Sequence, residues 1–97
     1  MTQAPPLLPP EEIKQHLTAL EGWNQPEGTD QIEKEFSFKD YYHTMAFVNA
    51  VAWIANRQDH HPDMEVGYNR CNVIYSTHSA GGITAKDMEA AARIEAL

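Results

Sequence analysis

DHHPDMEVGYNRCNVIYSTHSAGGITAKDMEAAARI, residues 59–94, holds a histidine pair, two alternating runs and a capped helix in one stretch. Met64, Val66 and Tyr68 alternate with polar residues, and so do Val73 and Tyr75. A period of two marks half-buried strands. Asn69-Arg70, between the runs, predicts a two-residue hairpin turn, since Asn tolerates positive φ, although Arg is a weaker turn residue than Gly. Residues 79–82, SAGG, read as a flexible loop. Thr84, with Asp87 three residues on, matches a capping box opening a last helix through Met88, Ala91, Ala92 and Ile94.

Upstream, the period changes twice. From about Asp40 to Arg57, Tyr41, Met45, Val48, Ala52 and Ala55 form one helical stripe, and Phe47, Val51 and Ile54 an adjacent one. So wide an apolar face predicts the core helix and an interface besides. Before it, QIEKEFSF (31–38) places Ile32, Phe36 and Phe38 on one parity and Glu33, Glu35 and Ser37 on the other, with Lys34 breaking the pattern. That predicts a half-buried strand. PEGTD (26–30) is a turn, and Trp23 opens a short strand ahead of it. Pro9 and Pro10, then Glu11 and Glu12, suit a helix start, and Ile13, Leu17 and Leu20 follow helical spacing up to Gly22. Residues 1–8 read as a flexible N-terminal tail, which leaves 9–97 as a single domain. The predicted order is α-β-β-α-β-β-α: an α+β fold with a four-stranded antiparallel sheet and helices packed on one face.

Composition narrows the function. A chain of 97 residues with 42 % hydrophobic and 22 % charged residues is one ordinary soluble domain. Fourteen acids against seven bases give a net charge of −7, which argues against nucleic acid as a partner, because phosphate contacts need clustered Lys and Arg. The single cysteine, Cys71, allows no intrachain disulfide and no Cys-based zinc site, and suits a cytoplasmic setting. No signal peptide is expected from MTQAPPLLPP, and no run approaches the roughly 18 apolar residues of a membrane span. A domain this small with so apolar a central helix predicts self-association, as a homodimer or homotetramer.

The residues that could carry chemistry are histidines. His60 and His61 sit between a helix and Pro62, two rigid elements. On residue type alone, two readings stand. One is a polar loop whose charge stabilises a helix C-terminus. The other is an acid–base pair, because imidazole both gives and takes a proton near neutral pH. His78 lies at the end of the second run, on the parity of Asn72, Ile74 and Ser76, with Cys71, Val73, Tyr75 and Thr77 facing the other way. Ser76, Thr77 and Ser79 surround it with hydroxyls, and Gly81 and Gly82 let backbone approach a ligand. Three histidines could also hold zinc. Neighbouring residues of an extended chain point to opposite faces, however, and His-x-His and His-x3-His spacings are absent. No metal is expected. His16 and His43 read as surface positions.

Residues 59–94 closely resemble the pterin-4a-carbinolamine dehydratases. The motifs are His60-His61-Pro62, the acid Asp63, Tyr68-Asn69 at the hairpin, Ser76-Thr77-His78, Gly81-Gly82, and Thr84 to Asp87 opening a helix. Upstream, GWNQPEGTDQIEKEFSFKDY (22–41) is similar to the family's Gly-Trp segment, Glu-Gly turn and Phe-x-Phe-x-Asp junction, so the resemblance covers the chain from about residue 9 onward. It implies a hydro-lyase that dehydrates 4a-hydroxytetrahydropterin to quinonoid dihydropterin in tetrahydropterin recycling. It implies no metal and no organic cofactor. Its catalytic residues map onto His60, His61 and His78, and its substrate contacts onto Asp59 through Pro62 and Ser76, Thr77, His78 and Ser79. The role assignment that follows has His61 binding the pterin and taking the N5 proton, with His60 and His78 as acids from opposite sides, all three at the cleft surface. Two positions depart from the family's better-known members, which have Glu where this chain has Asn56 and Trp where it has Met64. Animal members also serve as dimerisation partners of a transcription factor, so a non-catalytic binding role is the alternative.

Overall fold

The computed structural model describes residues 4–97. Its central strand is β3 (Arg70–Tyr75), which has the alternation the sequence predicts: Cys71, Val73 and Tyr75 are fully buried, and Asn72 and Ile74 half-buried. β1 (Ile32–Ser37) and β2 (Asp63–Val66) pair antiparallel on either side of it, giving the order β1-β3-β2. Ile32 lies opposite Tyr75 and Phe36 opposite Cys71; on the other side Met64 faces Val73. This register stacks the apolar parity of all three strands on one face. Helices α1 (Pro10–Ala19), α2 (Tyr41–Gln58) and α3 (Ala85–Glu95) supply Ile13, Val51, Ile54, Met88 and Ile94 to the same core. Burial of each such side chain contributes about 1.5–3 kcal/mol before entropy is charged against it.

The sheet has three strands where four are expected. Trp23 is buried and packs edge-on against Phe36 with ring centroids 6.1 Å apart, but its segment makes a single bridge, Asn24 with Glu33, through N–H···O bonds of 3.0 and 2.8 Å. Pro26 has no N–H to continue the ladder, and the chain turns at Pro26–Thr29. The element order is therefore α-β-α-β-β-α. Lys34, which breaks the β1 pattern, occupies the core-facing parity opposite Val73. Its ammonium lies over the Phe36 ring, 4.8 Å from the centroid, and reaches the Glu21 carbonyl at 2.9 Å and Glu95 at 2.8 Å. Gly22, at φ +85°, lies under the lysine stem; a Cβ there would meet Lys34 Cε at 2.8 Å.

The hairpin turn is displaced by one residue from the predicted place. Gly67 N–H donates to Arg70 O at 2.8 Å, so the two loop residues are Tyr68 and Asn69. Neither has positive φ. Tertiary bonds hold this turn: Asn69 O accepts from Phe38 N–H at 2.8 Å, and Thr44 Oγ1 of α2 lies 2.9 Å from Tyr68 O. In α2, Val51 and Ile54 of one expected stripe are buried together with Ala55 of the other, whose Tyr41 and Ala52 face outward. Asp40 caps this helix by accepting from His43 N–H at 2.8 Å, and that bond lowers its carboxyl below the usual range.

At the N-terminus, Leu7 bridges to Thr84 and Leu8 N–H donates to Ile83 O at 2.9 Å, so both dock on the domain. The start of the expected tail, Met1 to Gln3, falls outside the described residues. Among the described residues, no helix is long and apolar enough to cross a membrane.

Candidate active site

The two halves of the site are set by how α2 and β3 end. α2 closes at Asp59, the single non-glycine residue with positive φ among those described (φ 53°, ψ 44°). This left-handed cap sends the Asp59 N–H back to Ala55 and Asn56 carbonyls, and His60 N–H closes on Ala55 O at 3.1 Å. Non-glycine residues held there tend to sit at functional positions, because the strain must be compensated by surrounding contacts. The consequence here is orientation: His60 turns into the protein and His61 out of it.

β3 ends at Tyr75, short of His78. Thr77 and Gly82 bridge through bonds of 2.9 and 3.3 Å, and His78–Ala80 between them forms one 3-10 turn. Gly81 follows at φ +76°, which a residue with a Cβ adopts only at a cost. The loop read as flexible is thus a hydrogen-bonded turn that fixes His78.

These two ends meet. A cleft of about 270 Å³ is lined by Asp59, His60, His61, Ser76, Thr77, His78, Ser79 and Lys86. Seven of the eight residues expected from the sequence are on its wall; Pro62 is not among the lining residues. Lys86 was not foreseen. His61 and His78 are exposed on the wall.

His60 differs from the other two. Expected at the cleft surface, it is buried, because its ring enters a polar pocket prepared for it. Nε2 lies 2.6 Å from Asp87 Oδ1, and the ring stacks on Tyr75 at 5.3 Å between centroids. Asp87 is itself fully buried. Its Oδ2 accepts from Thr84 N–H at 2.9 Å and from Thr77 Oγ1–H at 2.8 Å. Thr77 Oγ1 in turn lies 2.7 Å from Thr84 Oγ1, which accepts from Lys86 N–H. One set of proton positions satisfies every member: Thr84 hydroxyl to Thr77, Thr77 hydroxyl to Asp87, His60 Nε2–H to Asp87. A carboxylate with three donors is an acceptor only, so it fixes the ring's tautomer and leaves Nδ1 as the nitrogen free to exchange a proton. Burial pushes the neighbouring Tyr75 phenol up to about 12, with the Asp87 charge adding to the effect.

Asp87 has a second role beyond the helix cap that its spacing predicts. The capping box is present as predicted. The same carboxylate has a second oxygen, and an N3 side chain as short as Asp stays beside the helix end. There that oxygen is available to whatever the strand-end turn brings in. Among the described residues, no group of three or more metal-ligating side chains converges.

The chain is similar to known proteins in sequence and in fold. A family model described as Pterin 4 alpha carbinolamine dehydratase matches residues 6–97. A Nitrosospira multiformis protein named "Putative pterin-4-alpha-carbinolamine dehydratase" is 57% identical over 94 residues, spanning 97% of this chain and 81% of that protein. A Bdellovibrio bacteriovorus protein of the same name is 54% identical over 94 residues, spanning 93% and 77%. Among solved structures, a transcriptional coactivator/pterin dehydratase from Brucella melitensis superposes with a TM-score of 0.89 at 36% identity, covering 93% of this chain and 96% of that one. A pterin dehydratase-like protein identified as a RuBisCO assembly factor in the alpha-carboxysome superposes with a TM-score of 0.66 at 26% identity, covering 78% and 88%.

Proposed function

Because the chain belongs to the pterin 4 alpha carbinolamine dehydratase family, we propose that it is a hydro-lyase that removes water from a 4a-hydroxytetrahydropterin by histidine acid–base catalysis. The observation that carries the reading is the cleft shared by His60, His61 and His78, with a buried carboxylate behind the first. In the reaction the C4a–O bond breaks, the hydroxyl leaves as water with a donated proton, N5–H is lost, and a C4a=N5 bond forms. One group must give a proton and another must take one. His60 gives its Nδ1 proton and keeps Nε2–H on Asp87. His78 is the donor for a hydroxyl presented on the opposite ring face, and His61 takes the N5 proton. Asp59 and the hydroxyls of Ser76 and Ser79 hold the pterin edge, while the Thr77 hydroxyl stays with Asp87. A cleft of about 270 Å³ admits a two-ring heterocycle and little more, which suits a pterin whose substituent projects outward.

Freshly generated 4a-hydroxytetrahydropterin should dehydrate faster with the protein than in buffer alone. The acceleration should survive exhaustive chelation, because His60 turns inward and His61 outward, so the pair does not chelate one ion. Turnover equal to the buffer blank would remove the enzyme reading and favour a partner-binding role on the same fold. Loss on chelation with recovery on zinc addition would remove the metal-free mechanism.

Self-association belongs to the same reading, in the reducing cytoplasm that a lone buried thiol suits. Tyr41, Tyr42 and Trp53 of α2, with Tyr68 of the hairpin, are exposed aromatics, and a second copy of the chain is their expected cover. Light scattering at micromolar concentration should give a dimer or tetramer mass; a mass of 11.0 kDa, that of one chain, would count against it.

A further inference from the structure

Lys86 is the one lysine or arginine on the cleft wall, and among the described residues its ammonium has no carboxylate partner. Its place does not suit helix stability. It is the second residue of α3, where positive charge opposes the helix dipole. Its backbone, by contrast, is tied down. Lys86 N–H donates to Thr84 Oγ1 at 3.2 Å, and Lys86 O accepts from Gln58 Nε2 at 3.1 Å. The second bond ties the start of α3 to the last residue of α2, and Lys86 and Asp59 both line the cleft. The left-handed cap puts the Asp59 carboxylate on the same wall. The cleft thus offers both a donor and an acceptor.

A pterin presents a matching edge. Its 4-oxo group accepts, and the adjoining N3–H and 2-amino groups donate. We propose that Lys86 is a substrate-binding residue that donates to the 4-oxo group while Asp59 accepts from N3–H and the 2-amino group. The proposal rests on the pterin dehydratase reading above and adds how the site tells an oxo from an amino heterocycle. An ammonium facing a 4-amino group meets donor against donor, and such an unpaired polar contact is a strong basis for rejection. A chain of net charge −7 gives such a lone cation added weight at the cleft.

The test measures binding of pterin and of 2,4-diaminopteridine, its 4-amino counterpart, by calorimetry to the full chain and to Lys86→Met and Lys86→Arg. The intact protein should prefer the 4-oxo ligand. Lys86→Met should cut that preference roughly ten- to hundredfold, the worth of one charge-assisted hydrogen bond, and Lys86→Arg should keep most of it. The Lys86→Met melting temperature should equal or exceed that of the parent, since a charge opposing the helix dipole is removed; a merely structural lysine would lower it. An unchanged preference in Lys86→Met, or equal binding of both ligands by the parent, would overturn the proposal while leaving the dehydratase reading in place. Failure of the parent to bind either pteridine would overturn both.

Discussion

Replacing Asp87 by asparagine should lower turnover of 4a-hydroxytetrahydropterin by about 10²–10⁴-fold in a chain that still folds. The carboxylate is isosteric with the amide, so the space is kept, but the hydrogen-bond logic is not. Oδ1 receives from His60 Nε2, and Oδ2 receives from Thr77 and Thr84 N–H. An amide has one acceptor where three donors converge. If its NH₂ faces His60, the ring must present Nε2 as acceptor, and it can no longer carry protons on both nitrogens and release one from Nδ1. If the NH₂ faces Thr84, it meets a backbone N–H. The first orientation keeps every buried group paired, and the second costs about 1–3 kcal/mol for the mismatched buried donor, which a domain stable by about 5–15 kcal/mol survives. Alanine is less informative. It leaves all three donors without a partner and removes half the capping box, so its activity loss would be mixed with unfolding. The measurement is turnover of Asp87→Asn beside its melting curve. Full activity would mean that the buried carboxylate serves the helix cap alone.

The positions of the histidines along the chain, and the parity that buries Cys71, Val73 and Tyr75, were legible because they follow from spacing. The capping box was legible for the same reason. What spacing does not contain is which second contact a side chain makes. Asp87 reads as a helix cap, and its partnership with His60 depends on a left-handed residue at Asp59 that turns the chain inward. Aspartate tolerates that conformation better than most residues, yet nothing local demands it. Lys34 reads as an interruption of a strand because its role lies in contacts with Glu21 and Glu95, 13 and 61 residues away. The hairpin shifted by one residue for the same reason: Phe38 and Thr44 hold the Asn69 and Tyr68 carbonyls, and turn preference alone does not contain these tertiary bonds.

The three histidines should separate when each is replaced by alanine. His61→Ala should lose the most activity, and His78→Ala a substantial part. Both should melt within about 0.5 kcal/mol of the parent, because exposed side chains without buried partners contribute little to stability. His60→Ala should lose activity and stability together. It opens a cavity against Tyr75 and leaves the Asp87 charge buried with two donors in place of three. Breaking a buried pair from one side typically costs about 3–5 kcal/mol. The stability part can be isolated, because it arises from a charge. Adding Asp87→Asn to His60→Ala should recover part of the lost melting temperature, whereas neither variant alone is stabilising. A double-mutant cycle on stability therefore measures the coupling of the pair, and turnover measures its use. Activity losses across the set should not multiply, since two acids serving opposite faces of one substrate can cover for each other. Full activity in His61→Ala would remove the assignment of its base role. Equal melting of His60→Ala and the parent would mean that Asp87 does not depend on the ring, and the buried pair would lose its place in the mechanism.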